Sequence, residues 1–169
     1  DQAVQLFGMP EAVFADIATL RTGGKVDDYF IIHLMKPARM PEVKITLKAS
    51  YLMCENEPRF VLHGTEGSYV KYGLDPQEAD LTKGMLPDTP HWGEEDESQW
   101  GILHTETDGN VVRKPYPTLP GNYAAFYENI YQHIRNGAVL QSDACGVLGV
   151  IRLIEAAWES SRTGNVIKL

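Results

Sequence analysis

Only two cysteines occur in the 169 residues, at positions 54 and 145, and the sequence holds no Cys-x-x-Cys pair. That excludes a disulfide-stapled scaffold and a zinc ribbon, and it predicts two reduced, buried thiols in a cytoplasmic protein. Basic charge is scarce too: Lys+Arg 15 against Asp+Glu 23 leaves a formal net charge of -8. Phosphate backbones select basic surfaces, so this balance argues against a nucleic-acid partner. No apolar run approaches the ~20 residues that a membrane span requires. The most hydrophobic stretch, Val147 to Trp158, is broken by Arg152 and Glu155. Absent as well are a Gly-x-Gly-x-x-Gly after a strand, a phosphate-binding Gly-Lys-Ser/Thr, a Gly-x-Ser-x-Gly elbow and metal-ligand spacing among the five histidines. No self-contained catalytic set and no metal site is therefore expected.

What is present is a patterned chain, 43% hydrophobic and 22% charged, long enough to bury a core without a staple. Ala3, Val4, Leu6 and Phe7 read as the last turns of a helix stopped by Gly8. With no capping residue ahead of it, this helix predicts that the chain is a piece of something longer. Alternation then predicts strands over Glu11–Arg21, Asp27–Lys36, Glu42–Cys54, Arg59–His63 and Ser68–Tyr72, joined by short turns and so antiparallel. Gly73 to Gln99 departs from this rhythm, with three prolines and the acidic run Glu94-Glu95-Asp96-Glu97. It predicts a short helix over Pro76–Lys83 capped by Asp75, inside a long functional or mobile excursion. Asp108-Gly109 marks a hairpin between Trp100–Thr107 and Val111–Pro115. Two helices follow. The first, Asn122–Asn136, has a stripe of Tyr123, Tyr127, Ile130, Tyr131 and Ile134. The second, capped by Ser142 and ended by Gly164, has Ala144, Val147, Leu148, Ile151, Ile154 and Trp158. Asn165–Leu169 is a last short strand.

Runs of strands followed by helices predict an α+β fold: a predominantly antiparallel open sheet with helices on one face. The strand over Asp27–Lys36 is apolar on both faces. Phe30, Ile32 and Leu34 suit the helix side, which leaves Tyr29, Ile31 and Met35 as an apolar stripe available for dimerisation. The alternative is that the loop Gly73–Gln99 folds over that face. Chemistry-bearing side chains are few. His63 ends a strand beside a glycine-rich turn, as a satisfied polar group or as a base. Glu94–Glu97 reads as a solvated run or a cation site. Trp92 and Trp100 bracket that run, either packing within the loop or lying over a sugar-like ring.

Longer strings go further. Asp1-Gln2-Ala3-Val4-Gln5-Leu6-Phe7-Gly8-Met9-Pro10, Val26-Asp27-Asp28-Tyr29-Phe30, the run from Leu62-His63-Gly64-Thr65-Glu66-Gly67-Ser68-Tyr69 through Val70-Lys71-Tyr72-Gly73-Leu74-Asp75-Pro76-Gln77-Glu78, Leu119-Pro120-Gly121-Asn122-Tyr123 and Ile154-Glu155-Ala156-Ala157-Trp158-Glu159-Ser160-Ser161 occur in one order. Together they resemble the C-terminal domain of the glucose–fructose oxidoreductase, inositol dehydrogenase and rhizopine catabolism (Gfo/Idh/MocA) family, in its branch of NADP-dependent scyllo-inositol dehydrogenases. The resemblance implies a Rossmann domain ahead of this one, absent from the chain, that binds NAD or NADP. It implies a catalytic histidine just upstream of Asp1 and a lysine in a Glu-Lys-Pro motif, so no catalytic residue lies in this chain and no cofactor is expected on it alone. The implied role of residues 1–169 is a substrate and oligomerisation domain of a dehydrogenase acting on a secondary alcohol of a sugar or cyclic polyol. Its implied partners are the Rossmann domain and a second copy in a homodimer. Arg21, His63, Tyr72, His91 and Trp92 are the substrate-side candidates. The rival reading is a non-catalytic binding or assembly module that shares the fold.

Overall fold

The chain divides into two compact units, Asp1–Cys54 with Gln141–Leu169, and Glu55–Leu140. The computed structural model describes the backbone of residues 1–169 and the side chains of all of them except Thr107. The fold is α+β with antiparallel ladders throughout, and the strands group into two four-stranded sheets.

In the first unit, helix α1 (Gln2–Phe7) precedes strands β1 (Pro10–Ala18), β2 (Tyr29–Pro37) and β3 (Ile45–Ser50). The long helix α4 (Ala144–Thr163) and strand β8 (Ile167–Lys168) complete it, and the sheet order is β3-β2-β1-β8. Register puts Val13 opposite Leu34 and Leu34 opposite Ile45. Period-2 alternation therefore places Val13, Ala15, Leu34 and Ile45 on one face. There they meet Leu153 and Ala157 of α4, with Ala3, Val4 and Phe7 of α1 packed alongside. Both helices thus cover the same face. The opposite face carries Phe14, Tyr29, Ile31, His33 and Met35, all half-buried, with the Phe14 and His33 rings stacked at 6.3 Å.

Strand β8 pairs with β1 only at Ala12 and Val13, so the rest of that β1 edge needs other partners. Two adjacent serines of α4 supply them. Ser160 Oγ accepts from Ala15 N at 3.0 Å and donates to Asn165 O at 2.6 Å. Ser161 Oγ accepts from Ile17 N at 2.9 Å. This close approach requires small residues, so α4 turns Ala157 and Ser160 toward the sheet, while Val147, Leu148, Ile151, Ile154 and Trp158 stay exposed. The apolar stripe expected from periodicity is therefore the outer side of α4. Its N-cap is Asp143, which accepts from Gly146 N, and not Ser142.

In the second unit, β4 (Phe60–His63), β5 (Gly67–Lys71), β6 (Gly101–Thr107) and β7 (Asn110–Tyr116) form a meander in sequence order. Between β5 and β6 runs a strap, Tyr72 to Trp100, with helix α2 (Gln77–Thr82) and a 3-10 turn over Glu97–Gln99. Helix α3 (Ala124–Asn136) follows β7; none of its residues is buried, and Tyr127, Tyr131 and Ile134 are exposed. The thiols of Cys54 and Cys145 are free, as expected, but both are exposed: the third strand ends at Ser50, and Cys145 lies in the first turn of α4 away from the sheet.

Candidate functional site

The predicted site residues fall in three places. Arg21 belongs to the first unit, at the tip between β1 and β2. Asp28, inaccessible to solvent, grips that tip: Oδ1 accepts from Leu20 N at 2.7 Å, and Oδ2 accepts from Arg21 N at 3.1 Å and Arg21 Nε at 2.8 Å. The Leu20 amide and the arginine hold the Asp28 carboxyl below its ordinary value of 3.8, against the opposing effect of burial. Because the folded-state value is lowered, this carboxylate stabilises the tip above the ordinary value, and the contribution is lost as pH falls through the lowered one. The Arg21 guanidinium lies over the Tyr51 ring, 5.3 Å from its centre, and its side chain is 52% exposed. Strand β1, nine residues and so eight steps of ~3.3 Å, separates this tip from the α1 end of the sheet by roughly 26 Å.

His63 stands at the turn end of the second sheet. Its Nδ1 meets Ser68 Oγ at 2.8 Å, and register continues the row to His104 and Arg113 on the same face. Beside it lies an open trough of about 520 Å³ lined by Glu66, Ser68, His104, Glu106 and Asp108, among others. Tyr72 lies beyond Lys71, and Lys71 pairs with Phe60 at the far end of the same hairpin, so His63 and Tyr72 are not brought together.

Tyr72, His91 and Trp92 belong to the strap, which is tied inward by two polar knots. In the first, Lys71 Nζ donates to Glu95 Oε1 at 2.6 Å, Gln99 O at 2.8 Å and Tyr72 O at 3.0 Å. The two side chains are only 10% and 5% exposed, and the buried Glu95 Oε2 has no partner among the described residues. In the second, fully buried Gln77 accepts at Oε1 from Trp92 Nε1 at 2.8 Å and Tyr123 N at 2.9 Å, and donates from Nε2 to Asp75 Oδ1 at 3.0 Å. Asp75 Oδ1 also accepts from Gln77 N at 2.9 Å, ordering the start of α2 as expected. Gly121 lies against this knot, and a Cβ there would land on Asp75 and Gln77. Gly121 N donates to Gly93 O at 3.1 Å.

The acidic run is accordingly not one solvated face, since its carboxylates go to different partners. Glu94 turns to His91, Glu95 goes inward to Lys71, and Asp96 caps the 3-10 turn. The Ser98 hydroxyl and amide hold the Asp96 carboxyl below its usual range. Among the described residues no group of three or more His, Cys, Asp and Glu could hold a metal ion. The indole of Trp92, expected either to stack on a ligand or to pack in the loop, has its nitrogen engaged within the loop. Sequence reasoning misses Gln77, Glu95 and Asp28. A Lys–Glu pair 24 positions apart has no local pattern, and a buried glutamine looks like any other.

A nucleotide pyrophosphate is held by free amides at a glycine-rich helix start. At α4 the Gly146 amide is already taken by Asp143, and the glycine ahead of α3, Gly121, faces a carboxylate with no room to spare. No described helix is long and apolar enough to cross a membrane.

Residues 1–169 match the model of the Gfo/Idh/MocA oxidoreductase family, C-terminal alpha/beta domain. The chain is 35% identical over 169 residues to scyllo-inositol 2-dehydrogenase (NADP(+)) IolW of Bacillus subtilis, covering all of this chain and 46% of that protein. It is 35% identical over 162 residues to the uncharacterised oxidoreductase YdgJ of Escherichia coli, covering 96% of this chain and 45% of that one. The crystal structure of a Bacteroides fragilis protein named only as an oxidoreductase superposes with a TM-score of 0.94 at 61% identity, over 99% of this chain and 50% of that one. The chain thus spans about half the length of the relatives it matches. It belongs to the Gfo/Idh/MocA oxidoreductase family, as that family's C-terminal alpha/beta domain.

Proposed function

We propose that this chain is the substrate-facing and self-associating domain of an NAD(P)-dependent dehydrogenase that oxidises a secondary alcohol of a sugar or cyclic polyol, or runs the reverse reaction, in the cytoplasm. The observation that carries this reading is the end-to-end match to a protein named as an NADP+-dependent scyllo-inositol dehydrogenase, of which this chain corresponds to 46%. The nucleotide, the hydride acceptor of such a reaction, belongs with a Rossmann domain outside residues 1–169. So do the histidine and lysine that handle the proton. The strap, with Tyr72, His91 and Trp92, is the wall offered to substrate, because a prefolded loop with exposed polar groups suits hydroxyl recognition. The test compares the intact protein with residues 1–169 alone. The intact protein should reduce NADP+ or NAD+ with scyllo-inositol or a related polyol. The isolated chain should do neither this nor saturably bind NADPH by fluorescence titration. Micromolar nucleotide binding by the chain, or an intact protein inert toward every polyol and sugar offered, sinks the reading and favours an assembly module.

Self-association through the uncovered face of the first sheet is part of the same proposal. Tyr29, Ile31 and Met35 stand there opposite the helix-covered face, and they are apolar enough to seed a two-fold contact of roughly 1,600 Å² in total. Ile31→Glu puts a charge into that stripe and should convert a dimer to a monomer in sedimentation. A wild-type protein that sediments as a monomer at high concentration contradicts the assignment.

A further inference from the structure

Trp92 is bracketed by two residues with left-handed backbones, His91 at φ 63° and Gly93 at φ 76°. Glycine adopts that conformation freely, whereas a side chain there is strained by about 1–2 kcal/mol. Such strain persists only where the surroundings over-determine it, and here they do. Gly93 is buried, with its carbonyl held by Gly121 N, and the Trp92 indole is fixed by Gln77. The twin reversal sends the tryptophan inward and leaves His91 and Glu94 outward. His91 is 81% exposed, and its Nδ1 meets Glu94 Oε2 at 2.9 Å. Glu94 N closes the turn onto His91 O at 3.1 Å. A carboxylate only accepts, so Nδ1 carries a proton, and in the neutral imidazole Nε2 is then the acceptor. This is an imidazole with a set tautomer, carried on a turn fixed by two left-handed residues and by the Gly121–Gly93 bond.

We propose that His91 Nε2 accepts a hydrogen bond from one substrate hydroxyl, and that Glu94 is the positioning residue that sets the tautomer and the ring direction. This deepens the proposed polyol site and rests on that reading. Preorganised acceptors of this kind add to substrate binding at little entropic cost.

The substitution His91→Asn separates this role from folding. Asparagine tolerates positive φ, and its side-chain amide can still donate to Glu94, but it has no group in place of Nε2. In the intact enzyme, with scyllo-inositol as the probe, His91→Asn should raise the polyol KM about tenfold. The KM for NADP+ should stay unchanged, kcat should stay within about twofold, and the melting temperature should match wild type, the pattern of lost uniform binding. Glu94→Gln, which still accepts from Nδ1, should retain most of the affinity. Glu94→Ala should approach the His91→Asn value, and the double variant His91→Asn/Glu94→Ala should be no worse than His91→Asn alone. An unchanged polyol KM in His91→Asn overturns the proposal while leaving the proposed function standing. A wild-type enzyme inactive on all polyols and sugars overturns both. Should His91→Asn fail to fold, Glu94→Ala decides on its own: wild-type KM overturns the proposal, and a tenfold rise supports it.

Discussion

Lys71→Met should destabilise the second unit by about 3–5 kcal/mol, because it leaves a buried carboxylate without its cation. Glu95 is 5% exposed, and one of its two oxygens is already unpartnered, so no alternative donor stands ready among the described residues. The same ammonium also satisfies Gln99 O and Tyr72 O, so both ends of the strap lose an anchor at once. Urea unfolding followed by the fluorescence of Trp92 and Trp100 reports on that region. The double variant Lys71→Met/Glu95→Leu should recover more than half of the loss, since removing both charges relieves the desolvation that the single variant exposes. A loss below about 1 kcal/mol in Lys71→Met would mean that the pair behaves like an ordinary surface ion pair.

Gly93→Ala should cost about 3 kcal/mol, from two separable causes. The left-handed backbone at φ 76° penalises any Cβ by about 1–2 kcal/mol. In addition, a Cβ here would land on the carbonyl oxygen of Gly121, a backbone atom with no rotamer to escape into. Moving it breaks the bond from Gly121 N to Gly93 O, worth about 1 kcal/mol net. The same strap offers a control. Gly84 has φ 81°, and a Cβ there would meet nothing within 4 Å, so Gly84→Ala should show the backbone penalty alone. Equal losses in the two variants would mean that the Gly93–Gly121 contact does not hold the strap.

The strands are legible in the sequence because their signal is local. Alternation of Val13, Ala15 and Ile17, and of Ile45 and Leu47, survives into the structure as one buried face. The Asp108-Gly109 turn falls between β6 and β7 as its chemistry requires, with Asp108 itself at φ 52°. Strand ends are less legible. Alternation predicts the first strand on to Arg21, but ladder pairing stops at Ala18, where Asp28 takes over the next backbone amides. Those bonds connect residues seven and eight positions apart across a loop, and no periodicity announces them.

Among the site residues, the strap is recognisable by its length and prolines, and His91 and Trp92 by their chemistry. Their opposite orientations are not recognisable, because those depend on two left-handed residues flanking the tryptophan and on a glutamine 15 positions away. Helix α4 shows the same limit from another side. Its periodic apolar stripe is real in the sequence, yet the helix docks by Ala157 and Ser160, because the unpaired β1 edge needs hydroxyl partners at close range.

The sequence by itself determined the antiparallel α+β class, the order of strands and helices, and the family, since each rests on local alternation, turn chemistry or contiguous strings. Only the tertiary structure decided which face of α4 is buried, that the acidic run is split between solvent and a buried lysine, and that His63 and Tyr72 lie at opposite ends of one hairpin. The physical reason is common to all three. Burial and hydrogen-bond satisfaction are settled by partners distant in sequence, whereas periodicity records only what each residue does to its near neighbours.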